Sequence, residues 1–323
     1  MKKMFLSLVA LMAAAVSFAQ STLVATLSHG DEITMYYGSG ALGNALSAAV
    51  SGDVINLSGG TFDMPGQTIS KAVTIRGTGI DAEFPTILSG YFYINIPSSD
   101  TYCMSMEGVR CNNKVYVQGT FEKAHFLKSQ FTDLYWQTTS NNKRDFKICN
   151  CKITKTFQLE GCSTVNFINS VIFYYYYYTN NNAHVSFLNC NVQGGNTINA
   201  SFINSVLYGN APNGTCIAMN CIAIGDNYFR NLSTAAINCQ TTNDWSSLFK
   251  NFRGIYSEGE TYELTDEAKA TYLGTDGKEV GMYGGDLPYS STPSYPQITK
   301  MNVANKTTAD GKLSVEIEVS AAE

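Results

Sequence analysis

The sequence predicts an all-β chain coiled as a parallel β-helix, and three observations carry that prediction. The composition favours sheet: 20 Tyr and 17 Phe stand beside only 7 Pro, and aromatic and β-branched residues suit a pleated, half-buried surface. A short phrase recurs: an apolar residue, any residue, Asn, then Cys or Ser, then an apolar residue two places on. Its copies centre on Asn150-Cys151, Asn169-Ser170, Asn189-Cys190, Asn204-Ser205 and, more weakly, Asn220-Cys221, while Lys128-Ser129 fits without the Asn and Asn238-Cys239 keeps only the centre. From residue 129 to 239 the steps are 22, 19, 20, 15, 16 and 18 residues. Self-similarity at this period marks a solenoid, and the alternating apolar residues make each unit a pair of strands rather than a pair of helices.

In chain order, the first element is a leader. Lys2 and Lys3 precede an apolar run from Met4 to Phe18, and Ser17-Phe18-Ala19 places small residues where a signal peptidase reads, so residues 1–19 are expected to be a signal peptide. The run is shorter than the roughly 20 residues a membrane span needs, no later stretch is long enough, and no cysteine follows the cleavage point to carry a lipid. The product is expected outside the cytoplasm, in the periplasm, on the surface or in the medium.

Residues 20–288 are expected to form the β-helix domain. Leu42, Ala45, Leu46, Ala49 and Val50 fall at helical spacing, so residues 41–50 predict a short amphipathic helix that lids the open first turn. The stretches Ser51-Gly52-Asp53-Val54-Ile55-Asn56-Leu57-Ser58-Gly59-Gly60-Thr61-Phe62 and Lys71-Ala72-Val73-Thr74-Ile75-Arg76-Gly77-Thr78-Gly79 follow. They resemble the opening of right-handed parallel β-helix proteins of the pectin lyase-like superfamily. Tyr262-Glu263-Leu264-Thr265 and the run from Gly274 to Gly285 are similar to the closing segment of secreted β-helix proteins of Bacteroidota. The resemblance spans roughly Ala41 to Pro288 and implies a right-handed coil, but that fold hosts lyases, hydrolases, esterases and adhesins alike.

Stacking neighbours about 4.8 Å apart satisfies the backbone and buries the apolar interior, so about ten turns would give a rod on the order of 50 Å long. The recurring Asn is expected to form a ladder of stacked amides that satisfies the polar backbone of a bend. Residues 289–323 read as a Pro/Ser linker and a tail, with Leu313, Val315, Ile317 and Val319 alternating as one strand that either packs along the helix, the favoured reading, or stands as an edge strand awaiting a partner.

Charge narrows the chemistry. The formal net charge of −5 becomes −7 without Lys2 and Lys3, and no basic cluster exceeds Lys143-Arg144, which argues against nucleic acid. Residues 161–225 hold no Asp, Glu, Lys or Arg. Glycoside hydrolysis needs paired carboxylates, and metal-assisted elimination needs acidic cation ligands beside a base, so the central turns cannot supply either. The active relatives implied by the resemblance carry such groups on central turns, and this chain departs from them.

The reading is therefore a monomeric, non-catalytic, adhesin-like protein that binds a polysaccharide or another cell-surface ligand without cofactor or metal. Its candidate ligand-binding residues are Tyr174, Tyr176 and Tyr178, one side of a five-tyrosine run flanked by Asn180, Asn181 and Asn182, together with Tyr135 and Trp136. On a strand, Tyr135 and Trp136 point opposite ways, so only one of them can line a groove. The alternative is a polysaccharide lyase or glycoside hydrolase with a site around Asp133, Lys143, Arg144, Asp145 and Glu160. Asp226, Arg230, Asp244 and Trp245 form a second scatter without motif spacing.

The nine cysteines include at least one free thiol. At the bend, Cys151, Cys190 and Cys221 alternate with serines and lie two turns apart, too far to bridge, whereas Cys221 and Cys239 fall in adjacent turns and can pair. Cys149-Asn150-Cys151 lacks two of the ligands a zinc site needs, and His29, His125 and His184 accompany no hydrolase motif.

Overall fold

A computed structural model describes residues 23–136, 145–157, 164–176, 184–194, 199–211, 215–229, 235–255, 257, 259–303, 306–308 and 310–320. The leader at 1–19 lies outside them. The chain is a right-handed parallel β-helix of about eight turns, in which two long sheets run the length of the stack. The count falls short of ten because both ends leave the coil. Val24–His29 pairs antiparallel with Glu32–Tyr37 at the start, and residues beyond 244 fold back over the outside.

Each turn contributes one strand to the first sheet and one strand, or two short ones, to the second, and in-register parallel pairing stacks like residues on like. In the first sheet Phe126, Ile148, Phe167, Phe187 and Phe202 form one inward column. The rings of Phe167, Phe187 and Phe202 lie nearly parallel at 5.0 Å. In the second sheet the inward column is Phe92, Val115, Leu134, Thr156 and Tyr175. Burial alternates along the strands of the first sheet and, on either side of an irregularity near Asn112-Asn113 and Thr132-Asp133, along those of the second, so the sequence period of two decides which residues become core. Helix α1 (Ala41–Ala48) closes the first turn by burying Ala41, Leu42 and Ala45.

The recurring phrase forms the corner between the sheets, and its chemistry differs from the expected amide ladder. Asn150, Asn169, Asn189, Asn204, Asn220 and Asn238 all adopt left-handed backbone with φ between 46° and 55°, the conformation Asn tolerates best after Gly. The next residue, Ser or Cys, points inward and satisfies the corner. Ser170 Oγ accepts from Cys151 N at 3.0 Å and donates to Ile168 O at 2.8 Å. Cys190 Sγ donates to Phe167 O and Leu188 O at 3.3 Å each.

Two of the Asn amides, those of Asn169 and Asn204, grip the returning chain. Asn169 Nδ2 donates to Met282 O and Gly284 O at 3.0 and 2.7 Å, and Asn204 accepts from Thr275 N at 3.0 Å. Residues 274–295 thus run back along the Asn corner toward the first turns, ending with Ser294 N donating to Glu107 at 2.6 Å and the Tyr295 hydroxyl bonded to Gly77 O. Past this strap, Gln297–Val303 pairs antiparallel with Val315–Ser320 in a separate two-stranded sheet whose Val315, Ile317 and Val319 are exposed.

Candidate ligand-binding face

The outward side of the second sheet divides in two. Over the later turns it is covered: helix α2 (Trp245–Leu248) and its neighbours lay Trp245, Phe249 and Phe252 against Tyr208, with helix α3 (Asp266–Thr271) alongside. Over the earlier turns it carries an aromatic column. Tyr93 stacks on Tyr116 with ring centroids 5.0 Å apart, and Tyr116 on Tyr135 at 5.1 Å. All three tyrosines are half-buried. Parallel pairing produces the column: Tyr93 lies beside Tyr116, Tyr116 beside Tyr135, Tyr135 beside Phe157 and Phe157 beside Tyr176 in backbone register. Two residues the sequence nominated separately, Tyr135 and Tyr176, therefore belong to one register column. The side chains of Phe157 and Tyr176 lie outside the described set.

Polar side chains flank the rings. On one side Lys114, Asp133 and Lys155 occupy neighbouring register positions on three successive turns. Lys114 Nζ lies 5.4 Å from the Tyr135 ring centroid, within cation–π range. On the other side Asn95 pairs with Gln118. At the early end the exposed Tyr91 meets Tyr93 edge-to-face at 6.0 Å. Because successive rings cover one another's faces, the strip presents ring edges and phenolic hydroxyls at the spacing of the turns.

The other nominated residues separate. Trp136 is fully buried, with Nε1 donating to Thr156 Oγ1 at 3.0 Å and its ring 4.8 Å from Phe146. Strand alternation turns Tyr135 outward and Trp136 into the core, so Trp136 cannot reach a ligand on this face. The run at 174–178 divides in the same way: Tyr175 is core and Tyr174 is half-buried on the outside, while Tyr178 lies outside the described residues. Lys143, Arg144 and Glu160 also lie outside them. Asp145 begins a strand of the first sheet, whereas Asp133 is on the second, so these two do not share a strip.

In the second scatter, Asp244 caps α2, accepting from Ser246 N at 2.8 Å, and Trp245 packs on Tyr208. Both have structural employment. Asp226 is exposed, and Arg230 lies outside the described residues. Among the described residues no group of three or more His, Cys, Asp or Glu gathers as a metal site, and no helix is long and apolar enough to cross a membrane.

Sequence reasoning missed Tyr93 and Tyr116. The signal was present, since Tyr91-Phe92-Tyr93-Ile94 and Val115-Tyr116-Val117 alternate as cleanly as Leu134-Tyr135-Trp136, but these turns precede the Asn phrase that sets the register downstream. No family model, curated protein or solved structure matches the chain.

Proposed function

We propose that the chain is an exported, non-catalytic β-helix protein of the pectin lyase-like kind that binds an extended glycan along the tyrosine column. The single observation behind this reading is the stack of Tyr93, Tyr116 and Tyr135 from three successive turns, at 5.0 and 5.1 Å. A polymer lying along the helix axis meets one phenol per turn. Amides at Asn95 and Gln118 and charges at Lys114, Asp133 and Lys155 are at hand for its hydroxyls or acidic groups. The covered ring faces make this edge and hydroxyl recognition rather than flat stacking on sugar rings, with the exposed Tyr91 the ring best placed for the latter.

A glycan array tests the reading, run with the mature chain and with Tyr93→Ala/Tyr116→Ala/Tyr135→Ala, while unsaturated and reducing sugar are assayed on every glycan bound. Binding that disappears in the variant without product release supports it; equal binding by both proteins, or no binding to any glycan, contradicts it. The alternative enzyme reading draws on Asp133 lying between Lys114 and Lys155. Product release abolished by Asp133→Asn would establish that reading instead.

A further inference from the structure

The Ser/Cys corner has one irregularity. Ser129, Cys151, Ser170, Cys190, Ser205 and Cys221 alternate hydroxyl and thiol from turn to turn, which keeps sulfurs two turns apart. The alternation breaks at the end of the stack, where Cys239 follows Cys221. Met219 pairs with Ile237 and Ile222 with Gln240, so the two cysteines stand directly opposite in parallel register. Hydrogen bonds close on both sides of them, Gln240 N to Cys221 O at 2.9 Å and Asn220 N to Ile237 O at 3.0 Å. Their Cα separation is the strand spacing of about 4.8 Å, inside the range a disulfide spans.

We infer that Cys221 and Cys239 form a dithiol site that closes to a disulfide by exchange with a small-molecule disulfide, stapling the last turn to the stack. The Cys239 thiolate attacks one sulfur of the small disulfide and expels the other half as a thiolate. The Cys221 thiol, giving its proton to solvent, then attacks Cys239 Sγ and expels the second half. Two protein thiols are oxidised and one small disulfide is reduced to two thiols.

The surroundings assign these roles. Both thiols are free in this structure, and Cys239 is half-buried where a small oxidant can reach it, whereas Cys151 and Cys190 are fully buried. The neighbouring Cys221 thiol lowers the pKa of Cys239 below the ordinary thiol value, which makes Cys239 the attacking member of the pair. Burial pushes the Cys149 and Cys216 thiols up to about 11, which makes them slow competitors. The final turn is where a staple has most effect: its strand Ala236–Ile237 is exposed, and no described strand pairs beyond it in the first sheet.

The test incubates the folded full chain with oxidised glutathione at neutral pH, blocks remaining thiols, and maps the digest by mass spectrometry. The expected product is a peptide joined through Cys221 and Cys239, lighter by two hydrogens, with both residues lost from alkylation. Cys239→Ser should abolish the joined peptide, and Cys221→Ser should leave a stable glutathione adduct on Cys239. A persistent adduct on Cys239 in the unaltered chain, no oxidation of either residue, or a bridge from either of them to another cysteine would overturn the inference. Circular dichroism of both variants confirms that the fold is kept, so loss of the bridge reports on the thiols.

Discussion

Single residues at the corner carry two separable tasks. Asn204 holds a left-handed φ of 51° and ties the strap through Thr275, accepting from its N at 3.0 Å and donating to its Oγ1 at 3.2 Å. Asn204→Gly keeps the backbone and loses the amide, so it should cost about 1–2 kcal/mol, while Asn204→Ala adds roughly 1 kcal/mol of left-handed strain. Urea unfolding midpoints should rank native, Gly, Ala; equal midpoints for Gly and Ala would remove the backbone argument. Trp136 and Tyr116 make a second contrast. Truncating buried Trp136 to Ala strands Thr156 Oγ1 and opens a cavity, at about 3–5 kcal/mol. Tyr116→Ala loses ring stacking worth about 0.5–1.5 kcal/mol plus a modest buried area. Melting temperatures should fall steeply for the first and slightly for the second, which is why the tyrosine variants are sound probes of binding.

At the scale of elements, the C-terminal cap and strap are what the sequence disclosed least. The recurring phrase stops at Asn238-Cys239, and although residues 262–265 and 274–285 resemble a closing segment, their spacing does not say that they return along the Asn corner. The strap's path along the Asn corner is recorded in glycines whose reason appears only in three dimensions. A Cβ on Gly285 would lie 2.1 Å from Asn189 Nδ2, and one on Gly281 would lie 2.5 Å from Asn191 Oδ1, both at positive φ. Helix α1, by contrast, was legible from its apolar spacing alone, because its burial partner is the end of the coil.

The cap is also tied by charge. Glu263 lies between Lys250 and Lys269 at 2.8 and 2.9 Å, and hydrogen bonds from Lys250 first and Lys269 second lower its carboxyl to about 2. A depressed folded pKa means the contribution is present above the ordinary carboxylate value and lost as pH falls through about 2. These groups are exposed, so salt should weaken the tie. The protection of amides 259–272 against hydrogen exchange, each rate divided by the intrinsic rate at the same pH, should therefore fall on acidification from near-neutral pH toward 2, and Glu263→Gln should flatten that dependence. Protection factors unchanged across this window would refute the assignment.

At the scale of the molecule, about eight turns at about 4.8 Å make a rod on the order of 40 Å long. Its cap covers the outer face of one sheet at the late end and leaves that face open at the early end. The open part is where the tyrosine column stands. The fold class was legible because a solenoid writes its period into the chain. The column was only half legible: Tyr135 was visible as an alternating aromatic, but its alignment with Tyr93 and Tyr116 depends on turn lengths that vary before residue 129. Charge patterning carried less, since Asp133 and Asp145, close in sequence, diverge onto different sheets.

A glycan lying along the tyrosine column would reveal itself in calorimetric titration of the strongest array glycan, supplied as fragments of increasing length, against residues 20–323 and against the same chain with Tyr116→Ala. Affinity should climb with fragment length until the fragment spans the column and then level off, and Tyr116→Ala should weaken the long fragments far more than the shortest. Affinity independent of length, or unaffected by Tyr116→Ala, would contradict the account.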